Sequence, residues 1–153
     1  MVNNFSDIIG SALSILNTYI TDEYNGTRTG SYFFHADQEI NFTRYMPKGQ
    51  VTEDTTELDN KGFGRPPDRD ETYRIHVHFF TKHGDTGAST NYKNRELCSY
   101  YISDIRKKIL TYSGSFGCID LSFDTVERPI YLPDQKVYVG TLPIIFRARK
   151  NGS

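Results

Sequence analysis

The sequence predicts an α+β domain in which two helices pack on a mostly antiparallel sheet. Three observations lead there. A helix-period apolar stripe runs near the start of the chain, and a second begins at about Asn94. The segments between and after them alternate with period two and are joined by turns, so helices and hairpin-linked strands share one layered domain. With 153 residues, 37% of them hydrophobic, the chain fits a single domain over 1–153 with one core.

The first helix is expected over Ile8–Ile20. Ser6 is a good N-cap, Asp7 places negative charge in the first turn, and Phe5 can fold back as a staple. Ile8, Ile9, Ala12, Leu13, Ile15, Leu16, Tyr19 and Ile20 form one apolar face, and Asn25-Gly26 ends it or opens the next turn. Ser31–His35 and Glu39–Tyr45 read as a strand pair. Residues 46–71 lose periodicity. The acidic, threonine-rich middle and Gly62-Phe-Gly-Arg-Pro-Pro read as a long loop or an extended hairpin arm, with too little apolar patterning for a packed element.

Strand character is strongest over Thr72–Thr81, where Tyr73, Ile75, Val77 and Phe79 alternate with Arg74, His76, His78 and Phe80. Lys82–Asn91 is a polar connection. In the second helix Cys98, Ile102, Ile105 and Ile109 form the stripe, flanked by Leu97, Tyr101 and Leu110, with Arg106, Lys107 and Lys108 in the last turns. Gly114 and Gly117 bracket a turn. Ile119, Leu121 and Phe123 then alternate with Asp120, Ser122 and Asp124, Arg128–Leu132 is extended, and Pro133-Asp-Gln-Lys turns the chain. A final strand runs from Val137 to about Arg149. Gly140 and Pro143 within it suggest a bulge or an edge position.

Composition narrows the function. Net charge is −1, from 18 basic and 19 acidic residues, so no global basic excess holds a nucleic-acid backbone. The start of the chain lacks a cationic region followed by an apolar run, and the first apolar segment is broken by Ser11, Ser14, Asn17 and Thr18. We therefore expect a cytosolic protein without a membrane span. Charge is uneven. Glu53, Asp54, Glu57, Asp59, Asp68, Asp70 and Glu71 crowd one segment, while Arg106, Lys107, Lys108, Arg147, Arg149 and Lys150 supply basic stretches. Unlike patches of this kind suit pairing between copies, and Phe80, Tyr100 and Tyr112, which fall off the main apolar stripes, are candidate aromatic anchors.

Histidine is the main candidate for chemistry. His76 and His78 share one face of a strand, and Asp85 is a conceivable third ligand for a metal. Their face lies opposite Ile75 and Val77, and no third fixed partner accompanies them, so no metal site is expected. Gly62-Phe-Gly-Arg lacks the length and the lysine of a phosphate loop, no nucleophile elbow occurs, and Cys98 falls inside a core stripe. The sequence reads as a non-enzyme without a cofactor.

Strand Tyr73–Phe80, helix Glu96–Leu110 and the closing Val137–Arg147, preceded by helix Ile8–Ile20 and a hairpin, give a layout that resembles the tail-terminator proteins of long-tailed bacteriophages. The resemblance implies a structural virion protein, assembled in the host cytoplasm, in which six subunits form a ring. That ring caps the tail tube protein and meets the head–tail connector or stopper, and DNA passes through its lumen without specific binding. A neck adaptor or another tail-completion protein shares the layout. A cytosolic enzyme, or a metal- or ligand-binding domain, using the histidine face is the alternative of a different class.

Overall fold

A single sheet gathers most of the apolar side chains onto one of its faces, and both helices lie against that face. The computed structural model describes residues 5–19, 33–35, 48–60, 69–85, 92–117 and 120–150. The elements are α1 (Phe5–Tyr19), β1 (Phe33–His35), β2 (Lys48–Asn60), β3 (Arg69–Lys82), α2 (Asn94–Thr111), a 3₁₀ turn at Ser113–Phe116, β4 (Asp120–Phe123), β5 (Ile130–Leu132) and β6 (Val137–Lys150). The sheet has six strands in the order β1-β2-β3-β6-β4, with β5 also pairing β6. Among the described residues only β1–β2 is parallel; the other pairs are antiparallel. This is the expected α+β fold.

Period two explains the core. Tyr73, Ile75, Val77 and Phe79 of β3 are buried, and their register partners on β6 are Phe146, Ile144, Leu142 and Gly140. Helix α2 lies across β3 and β6, α1 lies across β1 and β2, and the two helices touch. The stripe Cys98, Ile102, Ile105 and Ile109 is buried against the sheet, as are Ile8, Ile9, Ala12, Ile15 and Leu16 of α1. Fully burying an aliphatic side chain stabilises by about 1.5–3 kcal/mol, so these two stripes hold the helical layer in place. Leu110, expected to flank the stripe, is instead exposed. The 3₁₀ turn ends on Gly117 in the left-handed region (φ 64°), a conformation glycine adopts without steric cost.

Two expectations are corrected. Lys48–Asn60 is not a loop: it is β2, paired with β3 from Lys48↔Phe80 to Asn60↔Arg69, so the extended-hairpin reading holds for this segment. A register shift between Glu53 and Thr56 marks a bulge. The segment looked aperiodic because few of its described side chains are both apolar and buried. Lys48, Gly49 and Val51 are buried, whereas Glu53 and Asp54 are exposed. The described part of β1 pairs only Gly49–Val51. The expected strand at Glu39–Tyr45 and the turns at Asn25-Gly26 and 61–68 lie outside the described residues.

The last strand is not at an edge. β6 pairs β3 along its whole length and takes β4 and β5 on its other side. Pro143 is tolerated because the N and O of one residue in an antiparallel strand point the same way. Its carbonyl accepts a hydrogen bond from the Asp124 amide at 3.2 Å, so its missing N–H also faces away from β3. It sits between the stretches that pair β5 (137–139) and β4 (144–147), where no strand bond is lost. Gly140 is required by packing. A Cβ there would stand 2.6 Å from Ile102 Cγ1, 3.0 Å from Cδ1 and 3.2 Å from Cys98 Sγ, so α2 rests directly on bare backbone.

Candidate functional site

The sheet face turned away from the helices carries the histidines. Rows of register partners cross it: Gln50–His78–Thr141, then Thr52–His76–Pro143. His78 Nδ1 is 2.8 Å from Thr141 Oγ1, and Nε2 is 3.5 Å from Thr52 Oγ1, so both ring nitrogens face hydroxyls. Burial, with a smaller contribution from the neighbouring His76, pushes the His78 pKa below 6.5. His76 Nε2 lies 3.5 Å from Asp54 Oδ2, and the two imidazoles meet edge to face at 5.8 Å. Asp85 belongs to the turn after β3, and the end of β3 is already about 13 Å beyond His78 at strand rise. Among the described residues no three His, Cys, Asp or Glu side chains converge as metal ligands. His83 sits near that turn, its Nδ1 3.1 Å from the Tyr138 hydroxyl.

Cys98 is buried, and its thiol is 3.4 Å from the Phe79 carbonyl oxygen. Burial pushes its pKa up to about 12, against smaller lowering from the nearby Thr81 side chain and Gly140 backbone. A thiol held protonated under a helix is a small core hydrophobe and a poor nucleophile.

A concave surface not foreseen from the sequence lies beside α2. The connection from β4 to β5 (residues 124–129) runs alongside the helix and leaves two cavities of about 440 and 310 Å³. Both are lined by Ser99, Ser103 and Arg128, so they form one trough along the helix. Tyr92 and Tyr100, with ring centroids 5.7 Å apart, form one end, and Ile102, Val126 and Pro129 the other. Arg95 ties the connection down through Nε to the Pro129 carbonyl at 2.9 Å, with its guanidinium 5.7 Å from the Tyr138 ring centroid. The sequence did hold a signal. Ser99 and Ser103 are four apart on α2 and lie off its buried stripe, but only tertiary structure shows that 124–129 walls that face in.

The expected interface residues separate into three groups. Glu53 and Asp54 are exposed at the bulge of β2. Glu57 and Asp59 follow on the same strand, opposite Thr72 and Asp70. Asp70 in turn pairs with Arg149, and Arg147 with Thr72 and with Asp120 of β4. The acidic segment and the basic C-terminal strand were expected as separate patches. They are instead neighbours at one end of the sheet, because the start of β3 lies alongside the end of β6. Arg106 and Lys107 are exposed on α2, Lys108 is half-buried, and the Arg106 guanidinium lies 5.1 Å from the Phe123 ring centroid. Of the proposed aromatic anchors, Phe80 is only 8% exposed, which leaves little of it to offer a partner. Tyr100 and Tyr112 are half-buried and pack against the core.

No known family model and no curated protein matches the chain. Among the described residues no helix is long and apolar enough to cross a membrane.

Proposed function

We propose that this protein is a structural subunit of a tailed-phage virion, a ring-forming protein of the tail-terminator type that caps the tail tube and joins it to the head connector. The observation that carries the reading is the arrangement of β3, α2 and β6. Two long antiparallel strands lie side by side at the centre of the sheet, and the helix between them in sequence crosses both. That is the layout on which the resemblance rests.

The chemistry of the surface agrees. Cys98 is desolvated, and the histidine nitrogens face hydroxyls and a carboxylate rather than an enclosed reaction space. The two sides of the central β3–β6 pair are unlike. One carries the acidic bulge of β2, the other the short strands β4 and β5 with their connection. Subunits with two unlike surfaces associate head to tail, and closure of such contacts gives a ring.

The test is mass in solution at high protein concentration and low salt, together with electron microscopy of tails assembled with and without the protein. The proposal expects a closed oligomer, most simply a hexamer, and tails of uncontrolled length when the protein is missing. A monomer under all conditions, combined with tails of normal length in its absence, would overturn it.

A further inference from the structure

We draw no further inference here: the strongest candidate, the open trough between α2 and the β4–β5 connection, is lined by basic and acidic side chains together, and nothing in the structure shows what covers it.

Discussion

Replacing Gly140 with alanine should destabilise the fold, although alanine is ordinarily the better residue in regular structure. The new Cβ would stand 2.6 Å from Ile102 Cγ1 and 3.0 Å from its Cδ1, where carbon atoms prefer about 3.5–4.0 Å. Ile102 cannot simply swing aside. It is 5% exposed, and β-branching locks its χ1 in a helix. The helix must therefore lift by something near 1 Å, the shortfall in the closest contact, and loosen the stripe below it. Overpacking of this kind costs about 1–3 kcal/mol. Loss of glycine's freedom in the unfolded chain offsets about 0.4–1 kcal/mol, and the φ of Gly140 is not in the left-handed region, so no backbone strain adds to the cost. The net expectation is a loss of about 1–2 kcal/mol, or about 2–8 °C in Tm for a domain of this size. Urea titration followed by circular dichroism measures it. Adding Ile102→Ala removes both clashing atoms, so the double variant should be less destabilised than the sum of the two single variants. Unchanged or increased stability in Gly140→Ala, or strict additivity in the double variant, would refute the idea that α2 rests on the backbone there.

Other expectations follow from the titrating groups. With Cys118 changed to serine, Cys98 should resist thiol reagents in the native protein at pH 8 and react once it is unfolded. An unfolded thiol titrates near 9.0 and the folded one near about 12. The burial of Cys98 thus contributes stability below pH 9 that is lost as pH rises toward 12, and a Cys98→Ala variant should show a flatter alkaline limb in denaturation. For His78 the sign is opposite. Its folded pKa lies below 6.5, so the unfolded state takes up a proton first and stability falls as pH drops below 6.5. An NMR titration should place the His78 midpoint below 6.5, and His78→Gln should reduce the acid sensitivity. Zinc should leave Tm nearly unchanged, because Asp85 lies well away from the two histidines; a stoichiometric metal surviving dialysis would contradict this.

The elements legible in the sequence are those whose burial is one-sided and continuous. The stripe Cys98–Ile109 fixed α2, and the alternation Tyr73–Phe79 fixed β3, because each of those side chains meets the same core. β2 was illegible because Val51 is its only described apolar residue in the core, and its polar side chains gave no period to detect. β6 was read as an edge from Gly140 and Pro143, yet both have tertiary explanations: a helix that needs bare backbone, and a gap between two short strands. The candidate site was half-legible. Glu53 and Asp54 were singled out by charge, whereas Arg128 drew no notice because its importance depends on a wall that another part of the chain supplies. The separation of acidic and basic patches failed for a similar reason, since register alone brings Asp70 beside Arg149.

The pairing of β3 with β6 also sets the order in which this chain can fold as it is made. All of α2, β4 and β5 lies between the two central strands in sequence. Until β6 leaves the ribosome, β3 has only β2 beside it, and Tyr73, Ile75, Val77 and Phe79 lack half of the surface that later covers them. Such long-range closure is slow and leaves a sticky strand exposed in the meantime. A nascent chain stalled before Val137 should therefore aggregate or bind chaperones, while one released after Lys150 should fold. The timing of translation, as much as the final contacts, then governs how much folded protein a cell accumulates.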